Sequence, residues 1–312
     1  MIICEVNAMK ESPITSYDHL VTRAIAIAGE GRRKTVAVAA AQDADVIDAV
    51  AQSQADGFIN GILVGDEKRI RALAEQNGTG LGQLTVIDEP DVDKAAHAAV
   101  KLAAEKKADV IMKGFLPTSA ILKVVLDKKY GLRGPNTLSH CAVLDIPGYH
   151  KFLNFTDGGM VVKPTPAQKL EIIDNAVLVA RALGMAPVKV ALSVVNTPEL
   201  MIEALHKTPG MLIEGPLSFE VATSREAAEK YGLRSDTVGD ADVYVVDSIE
   251  ECNVVAKSLI NFADAIFAGV IVGAKVPVSL VSRTDTVKNK KASLAIACLI
   301  ADYYTQNRVW EN

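Results

Sequence analysis

Aromatic residues are scarce: Phe, Trp and Tyr make up 5% of the 312 residues. The apolar 49% must therefore be built mainly from Ala, Val, Ile and Leu, which suits buried parallel strands covered by helices. Cysteines are few and far apart. Cys4, Cys141, Cys252 and Cys298 show no C-x-x-C spacing, which excludes a secreted disulfide framework and predicts reduced, mostly buried thiols. The five histidines (His19, His97, His140, His150, His206) show no H-x-x-x-H and no pairing at metal-ligand spacing, so no metal site is expected. His140 beside Cys141 is the one close pair, and a buried structural place is expected for both.

Charge of one sign is also missing. Formal net charge is -5 and the 33 basic residues are scattered, with no basic stripe interleaved with aromatics, so nucleic acid is excluded as a partner. No apolar run is long. The most apolar, Ala265 to Ala274, is closed by Lys275, well short of the ~20 residues a bilayer span needs. Glu5, Lys10 and Glu11 precede any long apolar run, which is not a secretory signal pattern. A cytoplasmic protein without membrane contact is expected. There is no G-x-x-x-x-G-K-[ST] for a P-loop and no G-x-S-x-G elbow for an α/β-hydrolase. Gly78-Thr79-Gly80-Leu81-Gly82 follows a helical pattern and precedes a strand, the reverse of a dinucleotide loop, and reads as a surface turn.

What is present is a rhythm of short β-rich runs and helical patterns. Thr35–Ala40 reads as a strand and Asp43–Ala55 as a helix, followed by Ile59–Val64 (strand), Glu67–Asn77 (helix), Leu84–Ile87 (strand), Asp91–Lys106 (helix) and Val110–Met112 (strand). GILVG and DVIMKG are continuously apolar, as in strands buried on both faces. This order predicts a doubly wound α/β fold, and the length suggests two domains.

Tyr130–Pro135, with Gly131, Gly134 and Pro135, marks a loop and a candidate boundary. Beyond it, Thr165 and Gln168 fit a capping box with Pro166 at the first helical position, and Gly184 stops that helix. Strands are expected at Val188–Val194, Met211–Ile213, Val243–Val246, Ile266–Val272 and Val278–Val281, and a last helix from about Lys288 to Tyr304.

The chemistry concentrates in AGVIVGAKVPVSLVSRTD, residues 268–285. Polar groups where a parallel strand gives way to a loop sit where α/β folds hold ligands. Ser282 offers a hydroxyl, Arg283 a fork suited to phosphate, and Asp285 a carboxylate that can act as a base. The same S-R-x-D pattern also caps helices, so an anion site and a plain cap both fit these residues.

This segment resembles the C-terminal signature of the phosphate acetyltransferase and phosphate butyryltransferase family, in which a G-x-K-x-P turn precedes an S-R motif. Three further stretches agree in order: Gly114-Phe115-Leu116-Pro117-Thr118-Ser119 with Lys123 on the helix that follows; Phe155-Thr156-Asp157-Gly158-Gly159-Met160 with Pro164 downstream; and Glu214-Gly215-Pro216-Leu217-Ser218-Phe219, followed by Val238-Gly239-Asp240-Ala241-Asp242. The likeness covers nearly the whole chain. VAVAAAQDADVIDAV and GVIVGAKVP resemble the butyryl branch. Where the acetyl branch has an acidic residue seven positions after the motif serine, this chain has Asn289; its acid is Asp285, three positions after Ser282.

The resemblance implies two three-layer α/β/α domains with mostly parallel sheets, folded like the isocitrate and isopropylmalate dehydrogenases. Residues 1–132 plus 265–312 would form the first and 133–264 the second, with the active site in the cleft between them. It implies a transfer between short-chain acyl-CoA, butyryl-CoA preferred, and phosphate. Asp285 would take the CoA thiol proton, Ser282 would hydrogen-bond the oxyanion and Arg283 would hold the phosphoryl group. Thr118, Lys123, Asp157, Gly273 and Lys275 would contact substrate. Coenzyme A and phosphate are substrates, no cofactor or metal is implied, and a homodimer is the expected minimum assembly. For Asp157 a turn-capping place is equally open, and Lys123 shares its helix region with the solvated Lys128 and Lys129. Other readings are action on acetyl-CoA, a non-catalytic sensor of acyl-CoA or acyl phosphate, and a decarboxylating dehydrogenase, for which no aspartate cluster or nicotinamide motif is seen.

Overall fold

A computed structural model describes residues 12–193 and 198–310. Cys4, Glu5, Lys10, Glu11 and Val194 lie outside the described residues. The chain divides into two compact units, Leu20–Pro135 with Ala268–Asn312, and Met1–His19 with Asn136–Phe267.

After helix α1 (Tyr17–Ile27), strands and helices alternate: β1 (Lys34–Ala39), α2 (Ala44–Ala55), β2 (Ile59–Gly65), α3 (Glu67–Gln76), β3 (Thr85–Asp88), α4 (Val92–Ala104), β4 (Val110–Lys113) and α5 (Thr118–Val125). The helices that follow β1, β2 and β3 each begin where an acidic side chain takes up free N–H groups. Asp43 accepts from Val46 at 3.0 Å, Asp66 from Arg69 at 3.0 Å, and Asp91 from Asp93 and Lys94 at 3.0 Å each. Successive residues of β1 and β4 are buried, so both sheet faces are covered, as their unbroken apolar runs predict.

The central unit follows with β5 (Ser139–Asp145), β6 (Leu153–Thr156), α6 (Pro166–Ala182), β7 (Val188–Leu192), α7 (Pro198–Lys207), β8 (Met211–Glu214), α8 (Phe219–Thr223), α9 (Arg225–Lys230), β9 (Val243–Val245) and α10 (Ile249–Phe262). The capping box at Thr165 and Gln168 forms, with Pro166 opening α6. The strand order is β5-β6-β9-β7-β8, parallel except for β5 against β6. Phe155, Phe219 and Tyr244 pack at centroid distances of 5.6–6.0 Å and form the aromatic centre of the core. Residues 12–19 group with this unit, not with the N-terminal portion as the sequence reading had them. Backbone bonds tie them there: Ile14 N–H to Leu183 O and Tyr17 N–H to an Asp145 carboxylate oxygen, both at 2.8 Å.

The chain returns through β10 (Ile266–Val272) and β11 (Val278–Ser279) to the last helix, α11 (Val287–Gln306). In the unit holding these elements the strand order is β3-β2-β1-β4-β11-β10, parallel except for β10 against β11. The C-terminal ends of β1, β2, β4 and β11 therefore share one edge. Asp43, Asp66, Gly114 and Ser282 follow them there.

Candidate active site

At that edge the backbone of β4 runs against β1. Gly114 N–H bonds Ala39 O at 2.9 Å and Phe115 N–H bonds Ala40 O at 2.6 Å. A Cβ on Gly114 would lie 2.7 Å from Ala39 O and closer still to Ala40 O, so only glycine permits this approach. The result sets Lys113 and Phe115 beside the end of β11. Lys113 is buried, and its ammonium donates to Gly114 O at 3.3 Å and Val281 O at 3.4 Å. Burial lowers its pKa, as does the Arg283 charge, while Asp43 and Asp285 act in the opposite direction.

Ser282, Arg283 and Thr284 are exposed on the turn after β11, and Asp285 is buried beneath them. The Asp285 carboxylate accepts the Ser282 N–H at 2.6 Å, and the Asp285 N–H returns to Ser282 O at 3.2 Å. Ser282 and Thr284 hydroxyls lie 3.1 Å apart. The ammonium of Lys290, 1% exposed, donates to the Asp285 carbonyl and lies 3.5 Å from Asp45. The N-cap of α11 is Thr286, whose hydroxyl accepts from Asn289 N–H at 3.2 Å. Asp285 is thus not the helix cap; it closes the turn that presents Ser282 and Arg283. The Arg283 guanidinium stacks over the Phe115 ring at 4.9 Å, and Arg69 approaches the same ring at 5.3 Å. Planar cations held on an aromatic face keep their donors outward, a geometry suited to a phosphate group.

Thr118 opens α5 at the same strand edge, four residues beyond Gly114, and Lys123 is exposed on that helix. Gly273 and Lys275 lie elsewhere. They precede β11, so they sit at the opposite end of the parallel β4–β11 pair from Ser282. Gly273 is buried at φ 98°, in the left-handed region, and its carbonyl packs against Gly134. Lys275 is exposed, and its N–H bonds Leu132 O at 2.8 Å. Their nearness to the S-R motif in sequence is undone by the antiparallel β10–β11 reversal.

In the central unit, Asp157 is buried and its carboxylate accepts four backbone N–H groups: His140 at 2.9 Å, Gly159 at 3.0 Å, Met160 at 3.1 Å and Val161 at 2.7 Å. Burial raises its pKa more than these bonds lower it. It clasps the loop after β6, the turn-organising alternative for this residue. Beside it, His140 is buried, and burial together with the Lys257 charge brings its pKa down to about 4 against a smaller, opposite effect of the Gly158 backbone. Cys141 and Cys252 are buried free thiols, each pushed up to about 12 by desolvation, the inert state expected of core cysteines.

Two other stretches that carry the sequence resemblance do structural work here. In the Glu214–Phe219 segment, Leu217 is buried, Phe219 joins the aromatic core and the Leu217 carbonyl accepts the Tyr244 hydroxyl at 3.0 Å. In the Val238–Asp242 segment, Asp240 meets Lys151 at 2.9 Å, His150 at 2.7 Å, Arg225 at 3.1 Å, and also Lys189. Burial alone would raise the Asp240 pKa, but Lys189, Lys151 and His150 hold it well below the usual carboxylate range.

The profile of one family, phosphate acetyl/butaryl transferase, matches residues 89–298. The chain belongs to that family. It is 36% identical to the phosphate butyryltransferase of Clostridium acetobutylicum over 86% of this chain and 93% of that one. It is 34% identical to the phosphate acetyltransferase of Thermotoga maritima over 87% and 96%. The structure superposes on the branched-chain phosphotransacylase of Enterococcus faecalis with a TM-score of 0.75, at 31% identity, covering 86% of this chain and 99% of that one. As a member of this phosphate acyltransferase family, the chain is an enzyme with the mixed α/β fold expected from its sequence. Among the described residues, no helix is long and apolar enough to cross a membrane, and no group of three or more His, Cys, Asp or Glu side chains could hold a metal ion. Sequence reading missed Lys113 and Lys290; the signal available was only that each lysine lies within a strand or helix that is otherwise largely buried.

Proposed function

We propose that this chain interconverts short-chain acyl-CoA plus phosphate with acyl phosphate plus CoA, with butyryl-CoA preferred, as a cytoplasmic homodimer. The observation that carries the reading is the Ser282–Asp285 turn, closed by a buried carboxylate over two buried lysines, with Arg283 braced on Phe115. The preference for butyryl-CoA is supported by relatives named phosphate butyryltransferase at 35–37% identity.

In the direction of thioester formation, the CoA sulfur attacks the acyl carbon of the acyl phosphate. A thiol with pKa near ~8.5 is mostly protonated at neutral pH, and Asp285 takes its proton as the S–C bond forms. The Ser282 hydroxyl donates to the oxyanion that develops on the acyl carbonyl. Collapse of that intermediate breaks the C–O bond to phosphate, whose charge Arg283 receives. Thr118 and Lys123, at and beyond the same edge, are the nearest further candidates for substrate contact. CoA and phosphate serve as substrates, and the reaction is assigned no cofactor.

The test is release of free CoA from butyryl-CoA, with and without phosphate. Strict phosphate dependence, with acetyl-CoA the poorer substrate, is expected. Release independent of phosphate would overturn the reading. Equal or better turnover of acetyl-CoA would move the chain to acetyl transfer, and binding without turnover would make it a sensor.

A further inference from the structure

Away from the Ser282 edge, where β4 and β11 begin, the same unit holds a cavity of about 460 Å³, within the ~300–1,000 Å³ usual for small-molecule sites. Part of its wall is apolar, from Ala103, Ala108, Val276, Pro277 and Ala301. Three cationic side chains, Lys106, Lys275 and Arg308, also line it. Asp109, the one carboxylate among the described lining residues, accepts the Thr35 N–H at 2.7 Å. Trp310 sits edge-on against Tyr304 at 5.3 Å, and its indole Nε1 is buried with no hydrogen-bond partner among the described residues.

We infer that this cavity binds a small amphipathic anion, a planar ring joined to a phosphate or carboxylate group and about the size of a mononucleotide. The anionic group sits among Lys106, Lys275 and Arg308, and the ring lies along the apolar wall beside Trp310. Basic residues after helices can simply complement the helix dipole, which accounts for Lys106 after α4 and Arg308 after α11. It does not account for Lys275, which follows a strand. Lys106 at φ 57° and Arg308 at φ 49° moreover hold left-handed positions that favour glycine, so lysine and arginine stand there at a conformational cost. Bare inorganic phosphate would satisfy the cations and leave the apolar wall uncovered. The site is separate from the Ser282 turn and independent of the acyl-transfer reading.

Trp310 is the single tryptophan of the chain, so its fluorescence reports this cavity directly. Adenosine monophosphate, a planar ring with a phosphate, is the probe. Titration into the intact protein is expected to give a saturable change in indole emission, with inorganic phosphate binding at least tenfold more weakly. Lys106→Glu should weaken AMP binding at least tenfold while leaving the kinetics with butyryl-CoA and phosphate unchanged in the absence of AMP. The AMP titration should be the same in Arg283→Ala and in the presence of saturating CoA. No saturable change, an unaltered titration in Lys106→Glu, or displacement of AMP by CoA would each overturn the assignment. Equal affinity for inorganic phosphate would overturn the planar-ring part of it.

Discussion

Asp285 and Ser282 hold each other across a turn: the carboxylate of one accepts the amide N–H of the other at 2.6 Å, and the reverse backbone bond closes the loop at 3.2 Å. Helix capping next door falls to Thr286. The two tasks can therefore be separated by substitution. Asp285→Asn keeps an acceptor for Ser282 but cannot take a proton, and turnover should fall ~100-fold or more. Thr286→Ala should leave turnover within a few-fold and lower stability by ~1 kcal/mol. Melting temperatures and pH–rate profiles of both variants check this. An Asp285→Asn enzyme that retains turnover and the limb rising with pH would leave Asp285 as a turn brace, and the base would lie elsewhere.

Arg283 and Phe115 form the second pair to test. Arg283→Lys keeps the charge but loses the planar fork and its seat on the ring, so the Michaelis constant for phosphate should rise at least tenfold with a smaller change in turnover. Phe115→Leu removes only the ring, and a cation–π contact of ~0.5–1 kcal/mol predicts a rise of ~2- to 5-fold. Steady-state kinetics with phosphate varied decide it. An unchanged phosphate constant in Arg283→Lys would place Arg283 on another substrate or on the loop.

The strand–helix order was legible because it rests on local chemistry. Asp43 caps α2, Thr165 and Gln168 box the start of α6, and the apolar runs of β1 and β4 are buried on both faces. The place of Ser282–Asp285 between the last strand and the last helix was legible as well, but not that Asp285 closes a turn and leaves the helix cap to Thr286. What stayed hidden depends on the third dimension. Lys290 sits in the run Lys288-Asn289-Lys290-Lys291, which reads as a solvated surface, yet helix periodicity turns Lys290 inward and leaves Lys288 exposed. Lys113 ends an apolar strand and looks like its solvent-facing stop, but the close Gly114–Ala40 approach encloses it. Lys275 is eight residues from Arg283, and no local pattern says that β11 carries the chain from one sheet edge to the other.

Lys290 should matter for both stability and catalysis. Its ammonium supports the Asp285 carbonyl from below while pairing with Asp45. Lys290→Met fills a similar volume but leaves that carbonyl without the donor, and a loss of ~1–3 kcal/mol in stability is expected. Turnover should fall as well, because the Asp285 turn loses its support. Chemical denaturation measures the first effect and steady-state kinetics the second. A Lys290→Met protein of unchanged stability would show that the buried charge is not needed to hold the turn.

His140 sets an acid limit on the central unit. Its pKa in the folded chain is about 4 against an ordinary 6.5, lowered first by burial and then by the Lys257 charge. Between those values the unfolded chain binds the proton and the folded one does not, so stability must fall as pH drops through this window. At one pKa unit per 1.36 kcal/mol, the contribution between pH 6.5 and 5 is ~2 kcal/mol, before most carboxylates titrate. His140→Asn removes the titrating ring, so its stability should be lower at pH 7.5, where a packed ring is lost, but flatter between pH 6.5 and 5. Urea denaturation of both proteins across that range gives the two slopes. Equal slopes would mean that the folded protein protonates His140 freely, by letting water or a carboxylate reach a ring that is enclosed here.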